Sequence, residues 1–198
     1  MTLSLKPLAD ALGVEVRGVD LSAPVSDDIV ETLKQALRDR LVLVIRDQHL
    51  SSEQYLAAVR LFGETMEQHL SDLLMEDHPE IAVLDSRKSP VGADGRGIPL
   101  GSKDWHTDHT NHAKPPKMTA MYALSLPRAG GDTGFANMHL AYDALSDEDK
   151  TKFDGLKTVN RIENNSYVSD EHKQRFGAAQ IHPLIRTHPE TGRKAIYI

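Results

Sequence analysis

Residues 104–112 read DWHTDHTNH and place His106, Asp108, His109 and His112 within seven residues, beside the only tryptophan, Trp105. Imidazole and carboxylate are ligands for divalent metals. The chain has no cysteine, which excludes disulfides, iron–sulfur clusters, thiolate zinc sites and cysteine nucleophiles. A metal held only by nitrogen and oxygen ligands suits iron(II), zinc, manganese or nickel. His106 and Asp108 are two residues apart, and alternate side chains of a strand share one face. If this stretch is a strand, both could reach one ion, as in the 2-His-1-carboxylate arrangement that binds iron(II) and leaves coordination positions open. A distant histidine would complete that set. The H-x-D spacing alone is common and carries little weight. His109 should point to the opposite face, and we expect both it and His112 at a pocket rim or on the surface. Trp105 is expected to face away from His106 and into the core.

The elements around this stretch must position it. VEV at 14–16 reads as a short strand. Ser26 can cap a helix over SDDIVETLKQALRDR, with Asp27 and Asp28 at the positive end of its dipole. Ile29, Leu33 and Leu37 would form its buried stripe. LVLVIR at 41–46 is too short for a helix and reads as a buried strand. Ser51 and Gln54 have capping-box spacing for a second helix, with Gly63 as its C-cap. IAVLD at 81–85 and MTAMYALSL at 118–126 read as strands, with a long loop rich in glycine and proline over 86–103. The second strand ends at the turn PRAGG, and GFANM at 134–138 resumes extended structure. A helix over HLAYDAL, a second one opened by Ser146, a strand at 156–162 and a hairpin formed by HPLIRT and KAIYI complete the pass.

At 198 residues the chain has the size of a single domain, here taken as 1–198. Hydrophobic residues make up 39% and charged residues 26%, an ordinary globular balance. The net charge of −6 argues against nucleic acid as a partner. No apolar run has the length of a membrane span, and the first residues do not resemble a secretory signal, so the expected location is cytoplasmic. Early helices followed by many short strands suggest an α+β domain on a β-sandwich or barrel.

WHTD is followed by KPPK, a strand-like segment and AGGDT. In this order and spacing the chain resembles the iron(II)- and 2-oxoglutarate-dependent dioxygenases of the taurine dioxygenase/2,4-dichlorophenoxyacetate dioxygenase (TauD/TfdA) family. The similarity extends upstream through LVLVIRDQHLSSEQYLAAVRLFGE and downstream through NMHLAYDALSDED to HPLIRTHPETGRKAIYI. The resemblance implies a double-stranded β-helix (jelly-roll, cupin-like) core with flanking helices. It implies His106 and Asp108 as iron ligands and Thr133 of GGDT as a hydrogen-bond donor to a carboxylate oxygen of 2-oxoglutarate. Gly130 and Gly131 would serve the backbone turn. His69 is the nearest match to a substrate-binding histidine of the family, and Lys103 could meet an anionic group at the pocket mouth. Dioxygen and a small organic anion, such as a sulfonate, alkyl sulfate or phenoxyalkanoate, would be the partners. A homo-oligomer is compatible with this reading.

The family's distal iron histidine and its co-substrate arginine lie in a later segment resembling W-D-N-R-x-x-x-H, which has no match here. The run KAIYI ends without a cap or polar tail. The expectation is therefore a domain lacking its C-terminal strands, with half a metal site. His182, His188, Arg186 and Arg193 are not assigned to the missing roles. Two rival readings remain at this point: a zinc hydrolase using His106, Asp108 and another histidine, and an inactive fragment.

Overall fold

The computed structural model describes residues 2–68, 70–85, 87, 104–162 and 168–198. Contacts divide the chain into two compact units. The first gathers the residues up to Thr65 with Ala120–Leu156 and Leu184–Tyr197; the second gathers Met66–Thr119 and Lys157–Pro183.

The first unit is built around a three-stranded sheet with order β1-β2-β3. β1 (Ser4–Pro7) runs antiparallel to β2 (Val14–Arg17), and β3 (Leu43–Ile45) runs parallel to β2. A parallel neighbour requires a crossover, and α1 (Asp27–Arg40) supplies it. Central β2 alternates as a one-sided strand should, with Val14 and Val16 buried, and Val16 is fully enclosed with Leu33 of α1. The helix face that packs inward is Val30, Leu33 and Ala36; Ile29 and Leu37 flank it half-buried. The expected stripe is thus rotated about Leu33. Ser26 is the N-cap residue by conformation, but its side chain makes no capping hydrogen bond. β3 was expected to be buried and is only half-buried, because it forms the edge of its sheet.

α2 (Ser52–Arg60) starts at the capping box expected from sequence: Ser51 accepts from the Gln54 amide, and Gln54 returns the bond to the Ser51 amide. It ends at Leu61 in right-handed helical conformation, short of Gly63. α3 (Met138–Asp143) and α4 (Asp147–Phe153) begin at Asn137 and Ser146, whose side chains cap them. β6 (Ile185–Thr187) and β7 (Lys194–Ile196) form the hairpin around HPETGR.

In the second unit β4 (Lys157–Asn160) pairs antiparallel with β5 (Gln180–Pro183). α5 (Asp170–Phe176), capped by Ser169, precedes β5. IAVLD is not a strand; it makes one bridge, Leu74 to Ala82. Two further strand expectations fail. Segments 118–126 and 134–137 carry no ladder, and Met121, Leu124 and Leu126 are exposed. Extended propensity makes a strand only where another edge accepts its backbone hydrogen bonds, and among the described residues no strand runs beside these segments. The described ladders form three small sheets and no closed barrel. Among the described residues no helix is long and apolar enough to cross a membrane.

The enclosure of Leu33 makes it the most sensitive core position of α1. Leu33→Ala is expected to destabilise the protein by about 2–5 kcal/mol, and Ser51→Ala by about 1 kcal/mol. Urea denaturation followed by circular dichroism checks both.

Candidate metal centre

The stretch carrying His106 and Asp108 is irregular and enters a turn at Asp108; it is not a strand. The chain kinks immediately after Asp108: His109 has φ 54°, in the left-handed region, and the His112 amide donates to the His109 carbonyl at 3.0 Å. Strand alternation therefore does not govern this segment. Trp105, expected in the core, is 72% exposed.

His106 and Asp108 nevertheless face each other, with Nε2 3.1 Å from Oδ1, and both side chains are about half exposed. Hydrogen bonding fixes the roles of the imidazole atoms. Nδ1 lies 2.8 Å from the Asp104 carbonyl, which can only accept, so Nδ1 carries a proton. In the neutral ring Nε2 is then a bare lone pair pointing at a carboxylate oxygen. A proton or a metal cation shared by the two atoms is what this geometry accommodates. A ligand histidine tied to a backbone carbonyl through its other nitrogen is also the usual arrangement around protein-bound metals. The two residues therefore fit one nitrogen and one oxygen donor of an iron(II) site. Among the described residues no group of three or more His, Cys, Asp or Glu side chains converges as a complete metal site.

The turn is held from behind by groups to which the sequence assigned no such role. His182, on β5, is 6% exposed, and its Nε2 donates to the carbonyls of Thr110 at 2.9 Å and His112 at 3.1 Å. Asn111 is buried and donates from Nδ2 to the Phe176 carbonyl at 3.3 Å. The His112 ring stacks on Phe176 with centroids 5.2 Å apart, and the His109 ring meets His112 edge-on. His109 Nε2 donates to Gln68 Oε1 at 2.9 Å. Both histidines, expected at a rim or on the surface, are half-buried structural residues. Burial pushes both imidazoles below their ordinary value; for His109 the neighbouring His112 adds to this and Asp108 opposes it. Phe176 ends α5, which is itself anchored by the Ser169 amide donating to Ser71 Oγ at 2.9 Å and by Arg175 pairing with Glu67 at 2.9 Å.

Thr119 Oγ1 donates to Asp108 Oδ2 at 2.7 Å. The carboxylate thus has one oxygen toward His106 and the other toward a hydroxyl. Nothing in the local spacing identifies Thr119, which lies eleven residues on, beyond Pro115 and Pro116.

Thr133 is exposed and belongs to the first unit, whereas His106 and Asp108 belong to the second. It follows Gly130 and Gly131, whose φ values of 75° and 73° are left-handed conformations that glycine adopts without strain. His69 and Lys103 lie outside the described residues. The residues held back from ligand roles have structural contacts: the His188 ring accepts from the amides of Glu190 and Thr191, Arg186 lies over the Tyr197 ring and Arg193 approaches Asp143.

Comparison with known proteins places the chain in a family. Residues 4–198 match the taurine catabolism dioxygenase TauD, TfdA family, and the chain belongs to it. The (S)-phenoxypropionate/alpha-ketoglutarate-dioxygenase of Sphingobium herbicidovorans is 30% identical over 205 residues, covering 98% of this chain and 69% of that protein. Pentalenolactone F synthase of Streptomyces avermitilis is 28% identical over 209 residues, covering 94% of this chain and 67% of that protein. The crystal structure of AAD-2 in complex with Mn(II) and N-oxalylglycine superposes with a TM-score of 0.75 at 27% identity, covering 100% of this chain and 71% of that one. The chain therefore spans about two thirds of the length of these relatives.

Because burial lowers the His112 pKa, the neutral ring contributes stability that is complete above its unfolded value of about 6.5 and is lost as the pH falls through the lower folded value. The urea midpoint should fall between about pH 7.5 and about pH 5.5, and fall less in His112→Phe, which keeps the stack on Phe176 without the titrating group.

Proposed function

We propose that this chain carries the iron-binding half-site of an iron(II)- and 2-oxoglutarate-dependent dioxygenase that hydroxylates a small organic anion. The observation that carries the reading is the opposition of His106 Nε2 and Asp108 Oδ1 at 3.1 Å, with Nδ1 tied back to the Asp104 carbonyl. Family membership supports the reaction class. A double-stranded β-helix core is the architecture we propose, with the likeness to AAD-2 in support.

His106 and Asp108 would hold the ion through one neutral nitrogen and one anionic oxygen. The half-charge balance of such a pair suits a divalent cation that also takes an anionic co-substrate. Iron(II) and 2-oxoglutarate, when bound, supply the oxidising chemistry: one oxygen atom of O2 goes to the substrate as hydroxyl, and 2-oxoglutarate leaves as succinate and CO2. Thr133 would donate its hydroxyl proton to a carboxylate oxygen of 2-oxoglutarate. The bound N-oxalylglycine of AAD-2, a dicarboxylate of the same chain length as 2-oxoglutarate, supports a co-substrate of that shape. Lys103 would meet the substrate's anionic group and His69 would bind the substrate, and the phenoxypropionate named for the Sphingobium relative supports a carboxylate among such substrates. The rival reading, a zinc hydrolase, shares the two metal ligands but needs neither O2 nor a keto acid.

Succinate release coupled one-to-one to substrate oxidation is the expected outcome with the protein, iron(II), 2-oxoglutarate and candidate carboxylates, sulfonates and sulfate esters. His106→Ala and Asp108→Ala should abolish both. Hydrolysis without oxygen uptake in a zinc-loaded preparation would instead establish the rival.

A further inference from the structure

We propose that Thr119 is a positioning residue that fixes which carboxylate oxygen of the metal ligand Asp108 is presented beside His106. This rests on reading His106 and Asp108 as the iron pair. The Thr119 hydroxyl has a single proton, and at 2.7 Å that proton is committed to Asp108 Oδ2. The other oxygen, Oδ1, is the one that faces His106 Nε2. A carboxylate is free to chelate a cation through both oxygens or to bind through one. The hydrogen bond separates the two oxygens by role: Oδ2 is occupied and directed at the hydroxyl, and Oδ1 is presented beside the imidazole. The exposed setting sharpens the need for such a restraint. Asp108 is about half exposed, so burial does not lock its rotamer. His106 has its own restraint in the Asp104 carbonyl, and Thr119 is the corresponding partner for the carboxylate. Between Asp108 and Thr119 the chain passes through Pro115 and Pro116, whose fixed φ stiffens the path that returns the hydroxyl to the carboxylate.

The test is Mn(II) binding, followed by the loss of the free-ion electron paramagnetic resonance signal, in the full chain without co-substrate or substrate. The proteins compared are wild type, Thr119→Val, Thr119→Ala, Thr119→Ser, His106→Ala and Asp108→Ala. Thr119→Val and Thr119→Ala should weaken binding by about 10- to 100-fold, as removal of an outer partner of a ligand does. Thr119→Ser, which keeps the proton, should stay within about threefold of wild type. The melting temperature of the metal-free protein should be unchanged in the serine variant and nearly so in the alanine variant. Wild-type affinity in both Thr119→Val and Thr119→Ala overturns the inference, as does a serine variant as weak as alanine. If His106→Ala and Asp108→Ala also bind like wild type, or wild type does not bind, the metal reading itself fails and this inference with it. Loss of binding in the two ligand variants alone leaves the metal reading intact and overturns only the role of Thr119.

Discussion

Two electron-rich atoms, His106 Nε2 and Asp108 Oδ1, are held 3.1 Å apart. Two such atoms repel each other unless a proton or cation is shared between them, so the surrounding structure must supply the restraint that keeps them together. That restraint comes from hydrogen bonds at the far side of each group: the Asp104 carbonyl behind the imidazole and the Thr119 hydroxyl behind the carboxylate. Neither anchor is buried, so geometry and not desolvation makes this pair specific.

The next layer of support is better protected. His182 joins two carbonyls of the turn to β5, and Asn111 joins the turn to the end of α5. A buried imidazole that bridges two carbonyls is costly to replace, because its loss leaves acceptors without a donor. His112 and Phe176 add a stacked contact to the same corner. Three of the histidines in the second unit, His109, His112 and His182, therefore hold the turn's shape, and His106 faces Asp108. A metal-rich appearance in sequence resolves here into one His–Asp pair on a histidine-built support.

Much of this was legible locally. The Ser51/Gln54 box, the Ser146 cap, the 156–162 strand and the HPETGR hairpin each depend on neighbours a few residues apart, and each formed where its pattern placed it. The failures share one cause. IAVLD and MTAMYALSL have strand composition, but ladders are made by partners, and no partner can be read from a strand's own residues. β1, β5 and α5 escaped notice for related reasons, α5 being short and mostly polar. The pairing of His106 with Asp108 was anticipated on the premise of a strand, yet a turn brings them together; the spacing was informative although the element was not. Thr119, Gln68 and His182 reach the turn across 11, 41 and about 70 residues, distances at which a single sequence offers no periodicity to exploit. The order WHTD, KPPK and AGGDT conveyed the family where element patterns were silent.

The β2–α1–β3 unit has a temporal consequence. Its three elements close within residues 14–45, and short-range closure carries little entropic cost. A ribosome therefore releases everything this sheet needs well before residue 106 has been translated. The brace on the turn, His182, emerges 72 residues after Thr110, the carbonyl it holds. Vectorial synthesis thus imposes an order: the β2–α1–β3 sheet early, the bend carrying His106 and Asp108 late, with its imidazole and carboxylate unbraced until β5 arrives.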